Sequence, residues 1–342
     1  MAQAQVQSDA LNANEMASFR ESLTAASVAP LWEIPAHQTA VAEVARIWRW
    51  RDLEPLFDRA VLAAGVDSAE RRVLSLVNPS LPSKGPARVT ININAGMQIL
   101  MPGERARPHR HTANAIRFVI EGSGASTIVD GKPCAMEAGD LVLTPGNTWH
   151  EHVHNGQERV VWLDVLDVPL MDYLKVNEFQ PGPVRNVAPV VEDSAFLIPG
   201  FMPDGAFNDS YSPLFRYPWG KANAALDAMA PATDGSRLLR YVNPTTGGPV
   251  MSLLDCSLLR LEQGKSTHRR RVTHNAVCFV AEGSGVSTIG DTVLEWQKHD
   301  VISLPHWNWT SHRATSARAS LFMVSDIEVL KRLGLWREEV EN

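Results

Sequence analysis

The sequence predicts an all-β core built from two similar sandwiches or barrels, with helical segments towards both ends of the chain. From about residue 71, short runs rich in valine, isoleucine and threonine are separated by turn sequences such as EGSG and VDGK. Such runs are typical of β-strands, and many short strands at regular spacing indicate a sandwich or barrel. The same pattern returns from about residue 250, so we expect two β domains.

The second domain repeats the first. Residues 110–128 align without a gap onto residues 271–289, and 13 of the 19 positions are identical. The match continues where residues 139–152 correspond to residues 299–312. Duplicated scaffolds share packing residues, so we interpret the two stretches as copies of one fold.

The remaining segments lie before, between and after the two copies. Leucines, alanines and tryptophans interrupted by prolines indicate helices in the N-terminal segment. A connection rich in Pro, Gly, Asn and Asp carries one helix near 220–229, and the tail IEVLKRLGLWREEV indicates an amphipathic helix that reaches the C-terminus. The predicted divisions are a helical arm (1–70), a first β domain (71–170), a connecting segment (171–249), a second β domain (250–325) and a C-terminal helix (326–342).

Composition excludes several classes of protein. The net charge of −6 argues against nucleic acid as the main partner. The chain has no apolar run of about 18 residues, so we expect no membrane span. Its three widely separated cysteines offer neither a disulfide framework nor a CxxC zinc pattern, which favours a reducing cytoplasm.

Three histidines of the first copy have the pattern of a metal site. His109 and His111 are two residues apart on a predicted strand, so both side chains point to the same face. His150 follows on a later strand. Three neutral imidazoles suit Fe(II), Zn(II), Mn(II), Cu(II) or Ni(II) and leave coordination positions open. The second copy has other residues at the three places: Arg270, Val272 and Thr310.

The stretches that carry these histidines resemble a known family. PGERARPHRHTANAIRFVIEGSG and GDLVLTPGNTWHEH are similar to the two cupin motifs, so the chain resembles a bicupin, with two jelly-roll β-barrels, an N-terminal helical segment and a short C-terminal helix. Cupins with oxalate or germin-like chemistry have a glutamate where this chain has Ala115 and Ile116. A three-histidine site without that carboxylate resembles the gentisate 1,2-dioxygenase family, which includes salicylate and 1-hydroxy-2-naphthoate dioxygenases. The resemblance covers almost everything from about residue 30 onward.

The resemblance implies a cofactor, a reaction and an assembly. It implies Fe(II) on His109, His111 and His150, dioxygen as co-substrate, and a homotetramer. The substrate would be a small aromatic acid, a 2-hydroxybenzoate, whose ring opens between the carboxyl-bearing and hydroxyl-bearing carbons. Gentisate, which would give maleylpyruvate, is the first choice. The second copy, without ligands, is expected to serve packing and subunit assembly.

Three further residues of the first copy match catalytic or binding positions of the family. Arg117 matches an arginine that clamps the substrate carboxylate, a task that suits the planar guanidinium fork. His152 resembles a histidine that hydrogen-bonds the substrate hydroxyl or bound oxygen and moves protons. Asp164 could orient His152 or a ligand imidazole, although a structural salt bridge is a competing interpretation.

Four more residues match positions around the family's pocket. Arg71 could reach over the cavity mouth, with Arg72 as its rival. Gln98 could line the pocket or merely pair across a sheet, and Gly96 could leave room for the aromatic ring. Asn94 stands where many gentisate enzymes have an aromatic residue. Its amide offers a donor and an acceptor, so the pocket could take a ring with a hydroxyl or nitro group at carbon five.

Several alternatives stay open at this point. The nearest is a salicylate-type enzyme for a 5-substituted salicylate such as 5-nitrosalicylate, followed by one for 1-hydroxy-2-naphthoate. A Zn(II)-dependent isomerase or hydrolase, or a binding or storage bicupin, could use the same three histidines. Five other histidines are predicted to lie outside the metal site: His154, His268, His274, His299 and His306.

Overall fold

The computed structural model describes residues 12–33, 43–65, 71–82, 84–183, 191–198, 200–208 and 210–341. It separates into two compact units, residues 1–42 and residues 43–342. The smaller unit contains helix α1 (Ala13–Ala25) and a 3-10 turn (Leu31–Glu33). Helix α1 starts with a capping box, in which the Asn12 side chain and the Glu15 carboxylate accept hydrogen bonds from each other's backbone N–H groups.

The first barrel of the larger unit has eight main strands in two facing sheets. They are β3 (Asn94–Leu100), β4 (Arg105–His111), β5 (Ala115–Glu121), β6 (Ala125–Val129), β7 (Lys132–Met136), β8 (Leu141–Thr144), β9 (His150–His154) and β10 (Val160–Leu166). One sheet has the order β12-β8-β5-β10-β3-β2 and the other β11-β4-β9-β6-β7. The added edge strands are β2 (Val73–Ser75), β11 (Phe179–Pro181) and β12 (Arg216–Tyr217).

The second barrel repeats this order, which confirms the predicted all-β bicupin. Its strands are β14 (Asp255–Glu262), β15 (Arg270–Val272), β16 (Ala276–Glu282), β17 (Ser284–Ile289), β18 (Thr292–Gln297), β19 (Val301–Leu304), β20 (Thr310–Ala314) and β21 (Arg318–Ser325). The sheets have the orders β1-β19-β16-β21-β14-β13 and β18-β17-β20-β15-β22. The edge strands are β1 (Ile47–Trp48), β13 (Arg237–Arg240) and β22 (Glu338–Val340).

The two barrels share one apolar core. Strand β5 is buried on both faces, so its alternate residues serve two purposes. Phe118 points to the shared core, where its ring centroid lies 4.3 Å from that of Phe322 and 5.3 Å from that of Phe279. Arg117, its neighbour, therefore points the other way, into the first barrel.

Helices occupy the connections. They are α2 (Trp50–Ala63), α3 (Val168–Tyr173), α4 (Trp219–Ala228) and α5 (Ile327–Arg332). Helix α4 confirms the helix expected near 220–229. No helix in the described ranges is long and apolar enough to cross a membrane, and all three cysteines are buried and free.

The predicted C-terminal helix over 326–342 is wrong in its length. Helix α5 ends at Arg332, and Gly334 then adopts a φ of +69°, a left-handed conformation that favours glycine and ends helices. The chain goes on into β22, which pairs with β15 at the open edge of a sheet. The backbone N–H and C=O groups at the edge of β15 pair with β22. This pairing stabilises a strand where the sequence pattern predicts a helix.

The predicted N-terminal arm over 1–70 also contributes to the second barrel. Strand β1 pairs with β19, the backbone N–H of Arg46 donates to Ser303 Oγ at 2.8 Å, and that of Trp50 donates to Asp300 Oδ1 at 2.8 Å. Residues 1–11, 34–42 and 66–70 of the arm lie outside the described residues. The division of the chain at residues 70, 170, 249 and 325 stays a prediction.

Candidate metal centre

Strands β4 and β9 bring the three predicted ligands together. His109 lies directly opposite His150 in the antiparallel pair, and His111 shares the face of His109 because it is two residues further along β4. The candidate ligand atoms of the three side chains all lie within 4.8 Å of one another, and all three residues are buried. Metal–nitrogen bonds of about 2.1 Å place two ligands of one ion up to roughly 4 Å apart, so small ring movements suffice.

The backbone sets the orientation of each imidazole. In every case Nδ1 faces a carbonyl oxygen two residues away: Arg107 at 2.9 Å for His109, Ala113 at 2.8 Å for His111 and Thr148 at 3.1 Å for His150. A carbonyl only accepts, so Nδ1 carries the hydrogen. Each Nε2 therefore keeps a lone pair for a metal.

The same side chains are uncharged at neutral pH. Burial, followed by the nearby Arg71 cation, lowers the pKa of His109 to about 3. Burial lowers the pKa of His111 to about 4 and that of His150 well below its usual range. Neutral imidazoles are the form that binds metals.

Two of the three Nε2 lone pairs lack a hydrogen-bond donor among the described residues. Nε2 of His111 and Nε2 of His150 are buried and have no hydrogen-bond partner in the described part of the chain. Orphaned buried polar atoms cost free energy, which a bound cation would recover. Within the described ranges this cluster contains no carboxylate, so a metal held here keeps open positions. The residues fit a catalytic metal.

Asn114, which the sequence interpretation missed, ties the two ligand strands together. Its backbone N–H and Nδ2 donate to the carboxylate of Asp167 at 2.8 and 2.7 Å, and its Oδ1 accepts from the backbone N–H of Gly146 at 3.0 Å. The loop after His111 is thereby joined to the turn that precedes His150. The second barrel has the same lock between Asn275 and Asp326. The identity of the two asparagines in the repeat was the available signal.

The turn before His150 depends on a glycine. A Cβ added at Gly146 would lie 2.3 Å from the carbonyl oxygen of Thr112, which leaves no space for a side chain. Asn147 follows with a φ of +66°, and its backbone N–H donates to the carbonyl of His111 at 2.7 Å. This close approach holds the two ligand strands in register.

Arg117 and Asp164 form a buried ion pair inside the first barrel. Nε of Arg117 lies 3.0 Å from Oδ1 of Asp164, and Nη1 of Arg117 donates to Thr144 Oγ1. Trp162 Nε1 donates to Asp164 Oδ2 at 3.1 Å. The salt-bridge interpretation of Asp164 is the one that the structure shows; its catalytic part stays a prediction.

His152 is oriented by Thr127. Its Nδ1 lies 2.9 Å from Thr127 Oγ1, so a hydroxyl rather than a carboxylate contacts this nitrogen. The orienting role of Asp164 stays a prediction. Burial lowers the pKa of His152 well below its usual range, and its Nε2 is buried without a hydrogen-bond partner among the described residues. His312 has the matching contact with Ser287 in the second barrel.

The contact between Ser287 and His312 shows that the two copies differ by one residue in the register of this strand. The gapless alignment matches Thr127 with Thr288, yet Ser287 is the residue that faces the equivalent histidine. Strand β17 therefore pairs one residue out of step with the sequence alignment. A one-residue slip reverses the face of a strand, so only the structure shows which hydroxyl is used.

Strand β3 supplies the other predicted pocket residues. Asn94, Gly96 and Gln98 share one face, and Gly96 lies opposite Asp164, which places that face inside the barrel. Oδ1 of Asn94 and Nε2 of Gln98 are buried, with no hydrogen-bond partner in the described ranges. A Cβ on Gly96 would lie 2.7 Å from Cγ1 of Val73, so packing against β2 explains this glycine. Its predicted part in making room for a ring is untested.

Of the two neighbouring arginines, Arg71 is the one that reaches the metal centre. Its Nη1 lies 3.5 Å from Nε2 of His109. Arg72 instead binds Glu104 through both terminal nitrogens at 3.0 and 2.7 Å.

Phe179 is a second residue that the sequence interpretation missed. Strand β11 pairs with β4, and the Phe179 ring stacks on His109 at a centroid distance of 5.3 Å. The Arg71 guanidinium lies 5.1 Å from the centre of the same ring. A cavity of about 290 Å³ beside Phe179 reaches His109 from this side. No motif in the connecting segment marks this position.

Comparison with known proteins gives a consistent picture. Residues 96–166 match the Cupin domain family. The chain is 35% identical to a 5-aminosalicylate 1,2-dioxygenase of Comamonas, covering 95% of this chain and 90% of the relative. It is 35% identical to a gentisate 1,2-dioxygenase of Ralstonia, covering 93% and 92%. It is 38% identical to a 1-hydroxy-2-naphthoate 1,2-dioxygenase of Nocardioides, covering 86% and 78%.

Solved structures agree. The salicylate 1,2-dioxygenase of Pseudoaminobacter salicylatoxidans, determined with gentisate, superposes with a TM-score of 0.89 at 32% identity. The match covers 98% of this chain and 96% of that one.

The first prediction concerns the metal ligands. His111→Ala removes one of three lone pairs, so we expect purified protein to fall from nearly one metal ion per chain to a trace. His312→Ala, in the second barrel, is the matched control and keeps its metal. Elemental analysis after gel filtration measures both variants. Equal metal content would rule out His111 as a ligand.

The second prediction concerns the asparagine–aspartate locks. Asp167→Ala and Asp326→Ala each leave buried donors unpaired, so each lowers the free energy of unfolding by about 1–3 kcal/mol. Only Asp167→Ala also weakens metal binding, by about tenfold or more, because it loosens the loop after His111. Chemical denaturation and metal titration test the pair. Equal metal affinities would show that the lock does not position the ligands.

Proposed function

This chain belongs to the family of gentisate and salicylate 1,2-dioxygenases, which are ring-cleaving enzymes, and on that premise we propose that it opens a 2-hydroxybenzoate between the carboxyl-bearing and hydroxyl-bearing carbons. Gentisate is the first choice of substrate, and maleylpyruvate is then the product. One observation carries the proposal: three neutral imidazoles converge beside a buried arginine, with no carboxylate in the described cluster. Two of their Nε2 atoms have no hydrogen-bond partner among the described residues.

We propose Fe(II) as the metal. Fe(II) bound to these imidazoles would supply the redox chemistry that joins both atoms of dioxygen to the aromatic ring. The donor set alone also suits Zn(II), but the relatives are named as dioxygenases. Turnover without oxygen would favour the Zn(II)-dependent isomerase or hydrolase instead.

Arg117 is the proposed partner of the substrate carboxylate. Asp164 and Thr144 hold its guanidinium in a buried position before any substrate arrives, which reduces the cost of ordering it on binding. Guanidinium retains further N–H donors beyond those two contacts. Arg71 adds a second positive charge at His109, which favours an anionic ligand.

His152 is the proposed partner of the substrate hydroxyl. The ring is neutral and contacts Thr127, and its buried Nε2 has no hydrogen-bond partner in the part of the chain that the structure describes. A neutral imidazole in that state can hydrogen-bond the phenolic hydroxyl and exchange its proton. Most of the surrounding side chains are buried, which would limit the access of water to a bound ring.

Asn94 supports gentisate over nitrosalicylate. Its Oδ1 is a buried acceptor inside the barrel and lacks a protein donor in the described ranges. A hydroxyl or amino group at carbon five brings a donor hydrogen, whereas a nitro group brings none. The second candidate is therefore 5-aminosalicylate, on which the Comamonas relative is named.

Assembly and location are also proposals. Exposed apolar side chains after the first barrel, on Tyr173, Leu174 and Val176, support the homotetramer. The three free buried cysteines are compatible with a cytoplasmic location. Analytical ultracentrifugation tests the first of these proposals.

The third prediction tests the function itself. Fe(II)-loaded protein should consume oxygen and change the ultraviolet spectrum with gentisate and 5-aminosalicylate faster than with salicylate, 5-nitrosalicylate or 1-hydroxy-2-naphthoate. Negligible turnover of all five acids would refute ring cleavage of 2-hydroxybenzoates. Rapid turnover of 5-nitrosalicylate alone would reverse the ranking.

The fourth prediction concerns His152. His152→Gln should lower kcat by about 10²–10⁴-fold while metal content stays unchanged, because the ring acts on the substrate rather than on the metal. The matched control is His312→Gln, which should keep its kcat. A kcat within twofold of the parent enzyme would remove His152 from the reaction.

The fifth prediction concerns Asn94. Asn94→Leu removes the acceptor, so the ratio of kcat/KM for gentisate to kcat/KM for salicylate should fall about tenfold, the value of one hydrogen bond of about 1.4 kcal/mol. Steady-state kinetics on the two acids measure the ratio. An unchanged ratio would place the 5-hydroxyl elsewhere.

A further inference from the structure

The second barrel contains a cavity of about 310 Å³ at the place of the missing metal site. Arg270 lies opposite Thr310 in the β15–β20 pair, just as His109 lies opposite His150 in the first barrel. Arg270, Val272 and Thr310 all line the cavity. The copy without metal ligands has therefore kept an internal space at the corresponding position, of a size that suits small ligands.

One part of the cavity wall is more apolar than its counterpart in the first barrel. The strand register matches the Arg117–Asp164 pair of the first barrel with Cys278 and Met323 in the second. Met323 faces the cavity together with Leu259 and Leu304. Where the first barrel has a buried ion pair, the second offers an apolar wall.

The Arg270 side chain also lines this cavity and supplies a cation. Of the three cationic side chains that line the cavity, Arg240 is bound to Asp255 at 2.7 Å and Lys331 to Glu328 at 2.9 Å. The nearest carboxylate oxygen to Arg270 is more distant, 3.4 Å from Nη1 to Glu338. The Arg270 guanidinium is therefore the one most able to take a new anionic partner.

His312 adds a donor to the same cavity. Burial lowers its pKa to about 4, so one ring nitrogen carries the hydrogen. Ser287 Oγ accepts from Trp296 Nε1 at 2.8 Å and lies 2.7 Å from Nδ1 of His312. The buried serine hydroxyl gives its own hydrogen to Nδ1, so Nε2–H of His312 remains as a donor.

We propose that the second barrel binds one small aromatic monocarboxylate, with its carboxylate on Arg270 and Nε2–H of His312 and its ring against Leu259 and Met323. The planar side chains of His274 and Trp336, which also line the cavity, suit an aromatic ring. Asp255 and Glu338 also line the wall. An acid with a single carboxylate, matched by the Arg270 cation, therefore meets less repulsion than a dicarboxylate. The Arg270 guanidinium stands at the register position of His109, a candidate metal ligand, so the site presents a fixed cation to an acid.

Isothermal titration calorimetry of full-length protein with benzoate tests the proposal. Arg270→Met should weaken binding to the second barrel at least tenfold, or remove that binding event from a two-site titration. Arg271→Met is the matched control, because the next residue on the strand points outward, where Nε donates to Glu339 at 2.7 Å. This control should bind as the parent protein does.

Two further experiments test the position of the site and the class of ligand that it binds. Thr310→Phe fills the cavity and should abolish the same binding event, while succinate and hexanoate should bind at least tenfold more weakly than benzoate. Unchanged benzoate binding in both Arg270→Met and Thr310→Phe would overturn the site. Equal binding of hexanoate would overturn the aromatic preference. Ring cleavage, measured separately by oxygen uptake, should be retained in Arg270→Met, so failure of the proposed catalytic function would be recognised independently.

Discussion

The metal centre depends on a single constraint: the backbone carbonyls beside each ligand hold Nδ1–H and thereby turn Nε2 towards the shared point. Burial keeps the imidazoles uncharged, so three neutral rings rather than three cations face the shared point. Among the described residues this arrangement leaves Nε2 of His111 and of His150 without hydrogen-bond partners, which is unfavourable without a metal and favourable once a cation is bound. The strand pairing of β4 with β9 and the turn at Gly146 both maintain the orientation of the three imidazoles.

The duplicated fold separates scaffold from chemistry within one chain. Both barrels keep the asparagine–aspartate lock and a hydroxyl beside the equivalent histidine. They differ in the ligands and in the buried arginine–aspartate pair. The lock serves the fold in both barrels, whereas the three histidine ligands and the arginine–aspartate pair occur in the first barrel alone and are candidates for catalysis. His152 has a counterpart in His312, but only His152 lies beside the three-histidine cluster.

Much of the fold and of the metal site could be predicted from sequence, because the features concerned are local or periodic. The repeat, the strand texture and the two-residue spacing of His109 and His111 follow from pattern alone. Phe179 and Arg71 could not be placed from pattern, since each reaches His109 from a segment distant in the chain. The C-terminal strand was missed because its partner edge, on β15, lies about 70 residues earlier, at Arg270–Val272.

Strand β1 has a consequence for synthesis of the protein in the cell. The backbone of Arg46 meets Ser303, 257 residues downstream, so a segment made before the first barrel finds its partner only when the second barrel emerges. At about 5–20 residues per second, the ribosome needs on the order of tens of seconds to reach that point. The first barrel can close in this interval, while the β1 segment must stay unpaired and exposed to other nascent chains. Pairing of this short strand is therefore one of the last steps in the folding of the growing polypeptide.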